Sequence, residues 1–137
     1  MKNIFFLLSF ILSILLGCEK SDIFDEYVPI SHIDGVWIEN INKSDTINFD
    51  NWHNPDIFEL KRGIEYRNGY YLPKKHSGPY EYKISKDSIS LQNLLSSSRF
   101  WETYYFRVNK SQDAFIIGDF IYKSQSKTGK LIFTRIE

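Results

Sequence analysis

The stretch Tyr80-Glu81-Tyr82-Lys83-Ile84-Ser85-Lys86-Asp87-Ser88-Ile89-Ser90-Leu91-Gln92 decides the fold. Along an extended chain Tyr80, Tyr82 and Ile84 share one face, and Glu81 and Lys83 share the other. Strand side chains alternate between faces with a period of two, so one face suits a core and the other suits water. Lys86-Asp87 makes a tight turn, and Ile89 and Leu91 resume the alternation over Ser88 to Gln92. The stretch reads as two strands joined by a turn.

The same reading extends in both directions. Upstream, Gly35 to Ile41 carries Trp37 and Ile41 on one face with Glu39 between them. Thr46 to Asp50 pairs Ile47 with Phe49, and Asp56 to Arg62 sets Phe58 and Leu60 opposite Glu59 and Lys61. Arg62-Gly63 leads into Ile64 to Arg67, and Asn68-Gly69 is a strong turn signal. Downstream, Trp101 to Val108 puts Tyr104, Phe106 and Val108 on one side. Ala114 to Tyr122 is apolar on both faces apart from Gly118 and Asp119. Thr128-Gly129 introduces a last strand over Lys130 to Ile136. Leu94 to Phe100 holds at most one short turn, and no segment after Cys18 sustains a helical period.

Composition agrees. Aromatic residues make up 17% of the chain, and Ala, the best helix former, occurs once, at Ala114. The expected class is all-β, an antiparallel meander of about eight strands. Closure into a small barrel removes the exposed edges such a sheet would leave. A two-sheet sandwich is the alternative.

The chain has 137 residues, enough for one domain. It divides into a signal segment at 1–17, a linker at 18–33 and a folded domain at 34–137. Seventeen basic and seventeen acidic residues give zero formal net charge. That speaks against nucleic acid as a partner, which needs a basic surface to displace counterions. The single cysteine, Cys18, leaves the core to hold the fold without a disulfide.

The N-terminus reads Met1-Lys2-Asn3 and then an apolar run from Ile4 to Leu16, interrupted by Ser9 and Ser13. A basic start and a short apolar run match a secretory signal. The run is shorter than a membrane-spanning helix needs. It ends Leu15-Leu16-Gly17-Cys18, which resembles the lipobox of bacterial lipoproteins. The resemblance implies lipidation of Cys18, cleavage after Gly17 and a preceding signal helix that is removed. It implies a place in the cell envelope, lipid-anchored on the outer membrane, because the residue after Cys18 is Glu rather than the Asp of inner-membrane retention.

Gly35-Val36-Trp37 at the first strand and Arg135 in the last resemble the lipocalin superfamily, and in particular the short lipocalin-like domains of bacterial lipoproteins. Carried over, Trp37 plugs the barrel floor and Arg135 covers it by a cation–π contact. The Thr-Asp-Tyr motif and C-terminal helix of full lipocalins have no counterpart.

No arrangement for catalysis is legible. His32, His53 and His76 lie outside metal-ligand spacing of one another, and there is no Gly-x-Ser-x-Gly elbow. No enzyme activity, no cofactor and no metal are expected. Trp52, Tyr70, Tyr71 and Trp101, with Tyr104 and Tyr105 beside the last, are the candidate binding residues, because Tyr and Trp offer an apolar body with a polar tip. The expected function is a binding module for a small apolar ligand inside the barrel, the alternative a module that binds an envelope protein. Whether the barrel is hollow or filled separates the two.

Overall fold

A computed structural model describes residues 26–50, 53–122 and 129–137. The signal segment, Cys18 and Trp52 lie outside them. Eleven strands follow in chain order: β1 Tyr27–Val28, β2 Val36–Glu39, β3 Thr46–Asn48, β4 Ile57–Lys61, β5 Ile64–Arg67, β6 Tyr70–Pro73, β7 Gly78–Ser85, β8 Ser88–Asn93, β9 Glu102–Asn109, β10 Ala114–Gly118 and β11 Lys130–Arg135. The described residues contain no helix.

Eight of these strands make the wall. β2-β3-β4-β7-β8-β9-β10-β11 pair antiparallel in that order, and β11 returns to pair with β2. The meander is therefore a closed barrel, not a sandwich. β5 and β6 form a separate hairpin inserted between β4 and β7. Asn68 and Gly69 both have positive φ, 55° and 84°, as the favoured two-residue hairpin turn requires.

The alternation read from the sequence sets the wall's inner face. Phe58, Leu60, Tyr80, Tyr82, Ile89, Leu91, Phe106, Val108, Leu131 and Phe133 are all buried. Their rings fill the lumen. Phe115 is the hub: its ring lies 5.0 Å from Trp37, 5.4 Å from Phe106 and 5.0 Å from Phe133, the last stacked. Phe58 stacks on Tyr80 at 5.2 Å. Such ring contacts add to the large apolar area each aromatic buries.

One end of the barrel, the base, holds the starts of β2, β4, β8 and β10 and the ends of β3, β7, β9 and β11. Here the first and last wall strands meet, with Trp37 and Arg135 as direct register partners. The Arg135 guanidinium carbon lies 5.7 Å from the Trp37 ring centroid, within cation–π range. Its Nη2 is 3.2 Å from Asp34, and Trp37 Nε1 donates to the Asp34 carbonyl at 2.7 Å. Gly35 explains itself in this setting. Its φ is +87°, and a Cβ there would stand 2.3 Å from the Glu137 carbonyl oxygen and 2.9 Å from the Arg135 guanidinium. No other residue lets the chain enter β2 so close to β11.

Two readings shift. The strand beginning at Gly35 stops at Glu39, so Ile41 sits in the following turn and is exposed, while Glu39 takes the inner position and is fully buried. Its carboxylate accepts the Ile41 and Asn42 amides at 2.8 and 2.7 Å, which satisfies the charge. Within the stretch read as a linker, residues 26–33 lie on the barrel. Tyr27 and Val28 pair with Asn109 and Val108 of β9, Ile30 packs on the core and Ile33 is buried.

Two tests follow from the base. Gly35→Ala should lower stability by about 1–3 kcal/mol, the cost of a strained backbone region, read as a lower urea midpoint. Gly129→Ala also has positive φ but meets open space, so it should cost less; equal losses would deny the close approach. The Tyr82 hydroxyl donates to the Pro55 carbonyl at 2.8 Å. Burial, with Asp56 and Asp34 nearby, pushes its phenol up to about 12 from the usual 10. The folded state thus favours the neutral phenol. That contribution is complete below pH 10 and is lost as pH rises through 12. Alkaline denaturation should steepen in that window, and Tyr82→Phe should flatten it.

Candidate functional site

The opposite end, the mouth, carries the β2–β3 turn, the β5–β6 hairpin, the β8–β9 loop and the β10–β11 loop. The last of these plugs the lumen. Phe120 and Ile121 are buried, and the Phe120 ring stands 5.8 Å from Tyr80 and 5.9 Å from Tyr104.

A buried polar clamp holds the plug. Asp45 from the β2–β3 turn accepts from Arg62 Nε at 3.2 Å and from the Tyr122 hydroxyl at 2.6 Å. Arg62 also donates to the Lys75 carbonyl at 2.6 Å, and its guanidinium lies 4.8 Å from the Tyr122 ring centroid. Asp45 and Arg62 are buried, so the charges survive only because each is paired and hydrogen-bonded. The clamp ties the β2–β3 turn, the end of β4, the start of β7 and the β10–β11 loop into one rim.

Two hollows flank this rim. A cavity of about 170 Å³ lies over the plug, lined by Tyr80, Leu91, Asn93, Phe100, Glu102 and Tyr104 among others. The Tyr80 hydroxyl donates to the His76 carbonyl at 2.9 Å and accepts from Asn93 at 3.0 Å, while Tyr104 donates to Glu102. Burial raises both phenols, reinforced at Tyr104 by the Glu102 carboxylate. They stay neutral hydrogen-bonding groups at physiological pH. The second hollow, about 320 Å³, is a groove on the outer wall. Ile64 and Pro73 of the hairpin form one side, Leu95 of the β8–β9 loop the other, and the outward residues Glu59 and Lys61 of β4 line it too.

The hairpin is the unusual element. Tyr66 pairs directly opposite Tyr71 and Ile64 opposite Pro73, so these four share one face. All four are exposed, Tyr71 to 79% and Tyr66 to 68%. The two tyrosine rings meet edge-on at 5.2 Å. A wholly apolar, unburied hairpin face beside a groove is the kind of patch that marks an interaction site.

The candidate residues distribute unevenly. Tyr70 and Tyr71 are exposed strand residues of β6. Trp101 is 38% exposed, with the Lys83 ammonium 4.1 Å over its ring. Tyr105 lies on the outer wall between the Lys130 ammonium and the Arg107 guanidinium. Only Tyr71 belongs to the apolar hairpin face. Its partners Tyr66, Ile64 and Pro73 escaped the sequence reading, although the Ile64/Tyr66 alternation and the Asn68-Gly69 turn could have placed them. Glu59 lies beside Lys61 and Glu65 beside Arg67, so these carboxylates form no cluster with Glu102. Among the described residues no group of three His, Cys, Asp or Glu side chains is arranged to hold a metal, and no helix is long and apolar enough to cross a membrane. Comparison of the chain with protein-family models, curated proteins and solved structures found no match.

The clamp supplies a test. Arg62→Leu leaves the Asp45 carboxylate buried without its counter-charge and should cost about 3–5 kcal/mol. The double variant Asp45→Leu, Arg62→Leu should cost less than the sum of the single losses, by denaturant unfolding; strict additivity would show that the two residues do not act as a pair.

Proposed function

We propose that this chain is an envelope lipoprotein, held by acyl chains on Cys18 to the outer membrane, whose barrel is a non-catalytic protein-binding module. Its contact surface is the apolar face of the β5–β6 hairpin together with the groove against Leu95. The observation that carries this reading is a contrast. The lumen is filled by aromatic rings, whereas Ile64, Tyr66, Tyr71, Leu95 and Phe100 stand more than two-thirds exposed at one end. Leaving such side chains in water forgoes roughly 1.5–3 kcal/mol each, and Tyr is among the residue types that dominate protein interfaces. The groove matches the lower end of the usual size for a binding pocket, roughly 300 Å³, and suits one or two inserted side chains.

The small apolar ligand has a narrower place here. The filled lumen offers it little room, and the 170 Å³ cavity over the plug is its best-supported site. Tyr80, Leu91, Phe100 and Phe120 provide the apolar lining, and Asn93 and Glu102 the polar contacts.

Three measurements test the proposal. Cys18→Ser should shift the protein out of the membrane fraction or leave it unprocessed; wild-type fractionation would count against the anchor. A fluorescent fatty-acid probe should show no saturable binding to the folded domain, and Tyr66→Ser with Tyr71→Ser should change stability by less than about 0.5 kcal/mol, as exposed sites do. Stoichiometric probe binding would instead favour the small-ligand reading.

A further inference from the structure

The chain reaches the barrel at a defined place. Tyr27 pairs with Asn109 and Val28 with Val108, and the Glu26 carbonyl accepts the Lys110 amide. β9 runs from mouth to base, so its antiparallel partner β1 runs from base towards mouth. Going upstream, residue 26 therefore leaves at the base, beside the β9–β10 turn. The attachment is fixed by side chains as well. The Arg107 guanidinium lies 4.1 Å from the Tyr27 ring centroid, and Lys110 pairs with Glu26.

From this exit we infer that the lipid anchor holds the barrel base-down on its own bilayer, turning the mouth, the apolar hairpin and its groove away from that bilayer. The inference rests on the lipoprotein reading. Seven residues lie between Cys18 and Glu26, eight Cα–Cα steps. Eight steps can span at most about 26–29 Å. β9 is eight residues long. With a strand rise of about 3.3 Å and a tilt of 35–45°, the wall alone stands roughly 16–19 Å high before the rim is added. Laying the hairpin on the same bilayer would demand a tether extended to well over half of its reach, at the conformational-entropy cost of the residues straightened.

Charge pulls the other way, which makes the tether decisive. At the base Glu26 pairs with Lys110, Asp87 with Arg107 and Asp34 with Arg135, and Asp50, Asp56, Asp113 and Glu137 against Lys86 leave that end acidic. At the mouth, residues 61–76 carry Lys61, Arg67, Lys74 and Lys75 against the single acid Glu65, with Arg62 buried against Asp45. An untethered domain would meet anionic lipid mouth-first. Held base-down, the same basic and aromatic surface faces outward, complementary to an acidic protein surface.

Energy transfer on vesicles tests the polarity. Mature acylated protein is reconstituted in vesicles of neutral and anionic lipid carrying a headgroup acceptor, with a donor on Ser85→Cys at the base or on Tyr70→Cys at the hairpin. Both positions are exposed, and the acylated Cys18 does not take the label. Transfer should be stronger from position 85 than from position 70, and a long Gly-Ser insertion after Asp25 should erase or invert the difference. Equal or stronger transfer from position 70 without the insertion would overturn the polarity and make the bilayer the hairpin's partner. Flotation with vesicles that persists in Cys18→Ser would instead overturn the anchor itself, so the two failures are distinguishable.

Discussion

Everything in this molecule depends on the contact between the first and last wall strands. A meander of short strands without disulfide or helix has two open edges, each a row of unpaired amides and carbonyls. Register pairing of Trp37 with Arg135 removes both edges at once. The chemistry at that seam is economical: one residue without a Cβ permits the approach, one indole fills the floor, and one guanidinium covers the indole while reaching Asp34 and the Glu137 carbonyl. With the ring closed, Phe115 can sit at the centre of an aromatic lumen instead of at a solvent-exposed edge.

Closure at the base also explains why the mouth carries the variety. The connections at the base are mostly tight, such as the Lys86-Asp87 turn and the β9–β10 turn knotted by Asn109. The inserted hairpin and the β8–β9 and β10–β11 loops fall at the other end, and the β3–β4 connection is the one long connection at the base. A rim built from four segments needs something to hold it, and a buried Asp–Arg–Tyr clamp serves where no apolar residue could satisfy the loop carbonyls. The clamp and the Phe120 plug together stiffen the rim. A rigid rim lowers the entropy lost when a partner docks on the hairpin beside it.

The wall was legible because its inner face obeys strict alternation: Tyr80/Tyr82, Ile89/Leu91 and Leu131/Phe133 announce both strand and face. The seam was legible because Gly35, Trp37 and Arg135 are residue types with few other reasons to stand where they do. Other features could not be read so. β1 has only two residues, too few for any period. β6 runs Tyr70-Tyr71-Leu72-Pro73, three apolar residues and a proline with no alternation, and is a strand only because the Asn68-Gly69 turn folds it onto β5. Glu39 stands at the inner position that alternation gives it beside Trp37, and its charge is tolerated there because the β2–β3 turn offers the carboxylate two amides, a local detail no pattern announces. The clamp joins residues separated by 17 and 77 positions, so only the closed topology brings them together.

Hydrogen exchange at the seam tests the closed ring most directly. The Val36 amide donates to the Glu137 carbonyl, the Ile136 amide to the Val36 carbonyl and the Asn40 amide to the Ile132 carbonyl. In a closed barrel the seam amides along β2 and β11 exchange only through global opening, as slowly as those shared by β7 and β8, with fraying confined to the strand ends. Seam amides that exchange uniformly fast, in the manner of a free edge, while β7 and β8 stay protected would show an open sheet, and the filled lumen and outward-facing mouth would fall with it.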